Sequence, residues 1–210
     1  MTMNDNYRAV LEKSRQVFAE KNPQEMSQKG AAAFLCYPSF SIREIIVPFL
    51  GTVYRVTWPN GKVFPFKGKK EIPFAPSLLI LHYLSRASGD LPEGKWLSFR
   101  ELWGGRSFDA AFQVRSLKPI TDYFHGDKHL FQEASSRIGG IVNLELPNSY
   151  LFFAFPRLPV LCSLSPGDEE IPTKSTILYD SIANTYLETE DLAVLGEILA
   201  EKLIEEAQKI

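Results

Sequence analysis

The chain is poor in the residues that make covalent or metal staples. Its two cysteines, Cys36 and Cys162, lie far apart and in no paired motif, which argues against a disulfide framework and against a thiolate zinc site, where ligands come as close pairs. Long apolar runs are also missing, and none approaches the ~18 residues that a membrane-spanning helix requires. The first residues, Met1 to Asn6, are polar and lack the basic-then-apolar order of a secretion signal. The expectation is therefore a cytoplasmic protein with no membrane partner. No excess of one charge exists either. The formal net charge is −2, whereas neutralising nucleic-acid phosphates takes a basic surplus, so nucleic acid is not an expected partner. The densest basic stretch, Lys62, Lys67, Lys69 and Lys70, reads as the solvated flank of a hairpin.

What is present is ordinary globular material. Hydrophobic residues make up 45% and charged residues 23%, enough apolar content to rule out global disorder. A length of 210 residues makes one domain, 1–210, the default. Aromatic residues are plentiful, which calls for a bulky core or an aromatic-lined pocket; composition does not separate the two.

Tyr7, Val10, Leu11, Ser14, Val17 and Phe18 recur at i, i+3, i+4, i+7 spacing and predict an amphipathic helix over 6–20, packed on the core. Asn22-Pro23 ends it, and 23–33 reads as a loop or a weak second helix. Residues 39–66 read as strands, with Asn60-Gly61 predicting a hairpin turn in which both central positions take positive φ. Pro76 opens a helix over 77–88 that is apolar nearly all round and so belongs at the centre of the domain; Gly89 stops it. Ser98 and Glu101 have capping-box spacing. Ser107 is expected to cap a helix over 108–115, Pro119 to open a short turn to His125, and Asp127 to cap a helix over 128–138. A hairpin of 141–146 and 150–155 follows, then strands at 159–164 and 176–179. Thr189 is expected to cap a long last helix with the stripe Leu192, Leu195, Ile198, Leu199 and Leu203. Because hairpins dominate, the fold class is α+β: a mainly antiparallel sheet built from hairpins, with a buried central helix and long N- and C-terminal helices packed on it.

Few residues suggest chemistry. His125 and His129 have the i, i+4 spacing of a zinc pair, but Gly126 and Asp127 break the continuous helix that such a pair needs, so no metal site is expected. His82 lies within the apolar helix; it reads either as a core histidine holding a polar partner or as a pocket-wall acid/base or axial ligand. Asp168-Glu169-Glu170 is the densest acidic loop, either solvated or in contact with a ligand or metal. Arg157, held between Pro156 and Pro159, could fork onto a carboxylate or phosphate, or close an internal salt bridge. Gly104-Gly105-Arg106-Ser107 could offer N–H groups to an anion. No Gly-x-Ser-x-Gly elbow occurs.

Several segments together carry a resemblance. These are 81–84 (Leu-His-Tyr-Leu), 94–102 (Gly-Lys-Trp-Leu-Ser-Phe-Arg-Glu-Leu) with Gly104-Gly105, 155–159 (Phe-Pro-Arg-Leu-Pro), 167–172 (Gly-Asp-Glu-Glu-Ile-Pro), Tyr179-Asp180-Ser181 and 189–192 (Thr-Glu-Asp-Leu). From about Val47 to Leu195 the chain resembles the domain of unknown function 3786 family, uncharacterised proteins of anaerobic bacteria and archaea. Some relatives of similar core carry an iron–sulfur module with a flavour of corrinoid and one-carbon metabolism; this chain lacks the clustered cysteines, so cluster binding is not carried over. The resemblance implies no activity and no catalytic residue, but it raises interest in His82, Arg157, Asp168 and Glu169. The functional expectation is a non-catalytic module binding a small ligand or cofactor of unspecified kind, or an accessory module, in anaerobic metabolism, with a small anionic ligand or a protein as partner. The alternatives are an enzyme using His82 and the 168–170 loop, and a structural interaction protein.

Overall fold

The computed structural model describes residues 3–168 and 170–210. Cα proximity groups the chain into two compact units. The first holds Met1–Leu91 with two short returns, Phe155–Arg157 and Thr185–Leu187; the second holds Pro92–Ala154, Leu158–Asn184 and Glu188–Ile210.

In the first unit, helix α1 (Met3–Glu20) buries Ser14 and Phe18 and packs on helix α3 (Phe74–Arg86). The buried stripe is narrower than the apolar pattern suggests, because Tyr7, Val10 and Val17 are each more than 40% exposed. Helix α2 (Pro23–Lys29) is the stronger of the two readings for its segment. The Asn22 side chain accepts from the Gln24 and Glu25 N–H groups at 2.9 and 3.2 Å, satisfying donors that an uncapped helix leaves loose. Strands β1 (Ala33–Tyr37), β2 (Ile42–Phe49), β3 (Thr52–Thr57) and β4 (Val63–Pro65) form an antiparallel meander in that order. β1 has no alternating pattern and escapes sequence reading.

The tight two-residue turn of this sheet is Leu50-Gly51, with φ of 44° and 74°, not Asn60-Gly61. At the latter, only Gly61 takes a positive φ. A two-residue turn there would need an N–H from Pro59, which proline lacks. Pairing closes one step further out instead, where the Thr57 N–H donates to the Lys62 carbonyl at 3.0 Å. Helix α3 has the expected burial: Ser77, Leu79, Ile80, Leu81, Tyr83 and Leu84 are all inside.

In the second unit, β5 (Trp96–Ser98), β9 (Lys174–Asp180), β8 (Leu158–Ser165), β7 (Ser149–Phe155) and β6 (Ile141–Val142) lie side by side in that order. β5, β9 and β8 pair antiparallel, as do β6 and β7. The fold is α+β with two sheets where the sequence suggested one, each built into its own unit. β5 went unread because its partner β9 is far along the chain and only three residues pair. β6 stops short of the expected 141–146. The Asn143 side chain accepts from the Glu145 and Leu146 N–H groups at 2.8 and 2.9 Å, and that local turn outcompetes the ladder.

Helix α4 (Asp109–Phe112), a π-helical stretch Gln113–Leu117 and helix α5 (Lys118–Phe124) run on without a break. The expected separate helices thus join. Pro119 has no N–H for the carbonyl four residues back, and the widened π turn absorbs the mismatch. Ser107 caps nothing, since a 3₁₀ turn ends on it. Helix α6 (Lys128–Arg137) is capped by Asp127 as expected, with both bonds at 3.0 Å. Helix α7 (Thr189–Ala207) buries the predicted leucine stripe. Gly196 lets α7 approach closely, because a Cβ there would lie 2.5 Å from the Phe112 ring and 2.9 Å from Ser116 Oγ. Thr189 is the first helical residue rather than the cap; its hydroxyl serves another segment, described below.

Candidate functional site

Three of the residues singled out in the sequence, His82, Arg157 and Asp168, are each bonded to another segment or to their own loop. His82 lies half-buried on α3, with Nε2 2.8 Å from Ser14 Oγ on α1. Ser14 Oγ also bonds the Val10 carbonyl at 3.1 Å. A hydroxyl has one proton, so if it goes to Val10 the imidazole donates to Ser14. His82 thereby ties two helices. Its neighbour Tyr83 points ~100° away around the helix and meets Arg157: the Tyr83 hydroxyl donates to the Gly30 carbonyl at 2.8 Å and accepts from the Arg157 N–H at 3.2 Å. Burial pushes the Tyr83 phenol well up, so it stays a donor.

Tyr83 is one of four stacked rings, all fully buried. Phe49 lies 4.7 Å from Phe155, Phe155 4.1 Å from Tyr83, and Tyr83 5.3 Å from Tyr186, centroid to centroid. The aromatic wealth of this unit is core, stacked ring on ring with no gap for a flat ligand. Arg157 closes the stack's polar edge. Its Nη1 donates to the Gly89 carbonyl at 2.9 Å, and among the described residues it forms no salt bridge and its Nε is buried without a partner.

In the second unit, the Asp168 carboxylate accepts from the Glu170 and Ile171 N–H groups at 2.9 and 2.8 Å. Those bonds, Ile171's first, hold its pKa below the usual carboxylate range. Asp168 therefore folds its own loop. Glu169 lies outside the described residues. His125 ends α5 with φ 46° and His129 lies in the first turn of the next helix, so the two share no helix face. Asp180, fully buried, accepts N–H bonds from Glu93, Gly94 and Ile182 at 3.2, 2.7 and 3.2 Å, pinning a loop onto β9. No group of three or more metal-ligating side chains gathers among the described residues, and no helix of theirs is long and apolar enough to cross a membrane.

The turn 98–107 is built differently. The Glu101 carboxylate accepts from the Ser98 N–H and hydroxyl at 2.8 and 2.7 Å, and these bonds hold its pKa down. This capping box starts a one-turn 3₁₀ helix, Phe99–Glu101. Phe99 and Leu102 go inward, which leaves Arg100 and Trp103 facing out. Gly104 takes φ 76°, and Gly105 comes so close to the chain before it that a Cβ would sit 1.9 Å from the Phe99 carbonyl oxygen. The Trp103 N–H donates to Asn184 Oδ1 at 3.1 Å, and the Thr189 hydroxyl donates to the Trp103 carbonyl. Asn184 in turn donates to Thr189 Oγ1 at 3.3 Å.

So the Trp103 backbone is gripped on both sides while the residue is 84% exposed. Beside it lies a groove of about 420 Å³ lined by Arg100, Glu101, Leu102, Gly104, Arg106 and Ser107. Neither arginine has an ion pair among the described residues. In the groove under α1, by contrast, Arg15 is already taken by Glu71 and the Gly61 carbonyl. The backbone anion site that 104–107 could offer has two of its donors already taken, because the N–H groups of Gly105 and Ser107 are bonded to the Leu102 and Gly104 carbonyls. The two guanidinium groups and the indole are what the turn presents. Sequence reading reached the glycines and missed Trp103, whose signal is a tryptophan set directly before a double glycine.

No match to the chain was found among curated proteins or among solved structures. The model of the family described as Domain of unknown function (DUF3786) matches residues 30–202, most of the chain, and the chain belongs to that family.

Proposed function

We propose that this chain is a non-catalytic binding module, in the anaerobic setting that its resemblance implies, and that it takes up an anionic partner at the turn Arg100–Ser107. The observation that carries this reading is the exposed Trp103, its backbone held from two sides, between two arginines that have no ion pair among the described residues. A guanidinium left without an internal partner is a ready fork for carboxylate or phosphate. A turn whose backbone is fixed before binding loses little freedom on binding. His82, Arg157 and Asp168 are engaged in holding their own segments, which leaves them poor candidates for ligand contact or chemistry.

The test is titration of the protein with polyglutamate, polylysine and pyrophosphate at low salt, followed by tryptophan fluorescence. An anionic probe should bind, polylysine should not, and the affinity should fall with added salt. The double variant Arg100→Glu/Arg106→Glu should lose binding by tenfold or more, about the effect of ~1.4 kcal/mol. Failure of both anions to bind, or binding untouched by the double variant, would remove the proposal.

A further inference from the structure

We infer that the partner taken at this turn is an acidic protein segment carrying apolar or aromatic side chains among its carboxylates, rather than a small anionic molecule; the inference rests on the anion-binding reading above. Three observations separate the two. First, small ligands bind in concavities that bury most of their surface. Trp103 instead stands out at 84% exposure, beside the groove rather than inside it, with the groove lined by Arg100, Leu102 and Arg106. A small anion seated between the arginines would leave the indole in water.

Second, exposed tryptophans and arginines are the side chains that dominate binding energy at protein interfaces, where a partner surface covers the ring and excludes water from the flanking charges. Here both kinds sit within four residues, Arg100 and Trp103, with Arg106 three residues on. Third, the turn is fixed in advance. Its grip comes from Asn184 and Thr189, and Gly105 is packed against the Phe99 carbonyl. A preset turn suits docking against an extended segment more than enclosure of a ligand, which calls for walls that close.

The charge of the occupant follows from the arginines. Glu101, the carboxylate in the lining, is turned onto Ser98, so the outward-facing donors are guanidinium groups and the complementary partner is acidic.

The experiment compares three probes by fluorescence titration: a random copolymer of glutamate and tyrosine, polyglutamate, and pyrophosphate. The copolymer should bind at least tenfold more tightly than polyglutamate. Trp103→Ala should bring the two polymers level, and Arg100→Glu/Arg106→Glu should weaken both by tenfold or more; pyrophosphate should not displace the copolymer. Trp103 is almost wholly exposed, so its variant keeps the fold, which far-ultraviolet dichroism verifies. Pyrophosphate displacing the copolymer, or a Trp103→Ala variant that binds the copolymer like the parent, would overturn the protein-segment inference and leave the anion site standing. If no anion binds, both readings fall together.

Discussion

The hydroxyl of Tyr83 is the most informative single atom in the first unit. Its removal by Tyr83→Phe leaves the ring stack intact, because Phe155 and Tyr186 meet the faces of the ring and not its oxygen. It strips two partners at once: the Gly30 carbonyl, which accepts from it at 2.8 Å, and the Arg157 N–H, which donates to it at 3.2 Å. Gly30 is buried and no water replaces the lost bond. Leaving a buried polar group without a partner costs about 1–3 kcal/mol each, so the pair together should cost about 3 kcal/mol. That is a large share of the roughly 5–15 kcal/mol that holds a domain together.

The matched control is Tyr186→Phe. Its hydroxyl donates to the Asp90 carbonyl at 2.6 Å, and Asp90 is exposed, so water takes over and the loss should be about 1 kcal/mol. Urea denaturation reads the difference directly, provided the slope of the transition is unchanged. For a chain this long, 3 kcal/mol corresponds to a melting shift of roughly 6–12 °C. A Tyr83→Phe variant no less stable than Tyr186→Phe would refute the idea that this phenol holds the Gly30 and Arg157 segments together.

Further expectations can be checked with simpler measurements. Gly105→Ala places a methyl 1.9 Å from a backbone oxygen and should cost at least about 1–3 kcal/mol, whereas Gly94→Ala, with φ 70° but open space around it, should cost about 1 kcal/mol; equal melting temperatures for the two would be wrong for this geometry. A fragment ending at Leu91 lacks Phe155 and Tyr186, two of the four stacked rings, and should give no cooperative thermal transition. A cooperative melt of the fragment would argue against that dependence. The Asp168 loop should be ordered by its carboxylate form. The folded pKa lies below the ordinary value of 3.8, so the contribution is full above that value and disappears as pH falls through the lower, folded one. The protection factor of the Ile171 amide should then fall in acid and in Asp168→Ala, which removes the acceptor, and unchanged protection in both would oppose the assignment.

Much of the architecture was readable because local chemistry and tertiary structure agree. The apolar run of α3 admits only a buried helix, Asp127 has donors two and three residues on, and the α7 leucines share one face. Reading failed where the deciding interaction lay elsewhere in the chain or in a side chain's choice between partners. β5 exists only through β9. Asn143 turns its own backbone away from a strand. Thr189 looks like a cap by position, yet its hydroxyl goes to the Trp103 carbonyl, a bond between residues 86 apart in sequence. The hairpin around Asn60-Gly61 does form, with β3 paired to β4, but its two-residue turn does not, for a local reason: the missing N–H of Pro59 weighs more than the dipeptide's preference.

The same logic explains why the candidate site was hard to see. Sequence patterns point to residues with unusual chemistry, and here His82, Arg157 and Asp168 are the unusual ones; all three use that chemistry to hold backbone or a neighbouring helix. Trp103 has no such chemistry to mark it, since a large apolar side chain is expected inside, and its signal is only the double glycine that follows it. Phe99 and Leu102, three apart, take the inward positions of this turn. With those filled and Gly104 reversing the chain at φ 76°, the intervening Arg100 and the following Trp103 have only the outward side left. The indole is exposed because its neighbours in the chain occupy the core, and Asn184 and Thr189 then hold it there. An apolar ring kept in water by hydrogen bonds to its own backbone is an arrangement that folding alone does not require, and this is what makes the turn, and not the half-buried histidine or the acidic loop, the place to look for a partner.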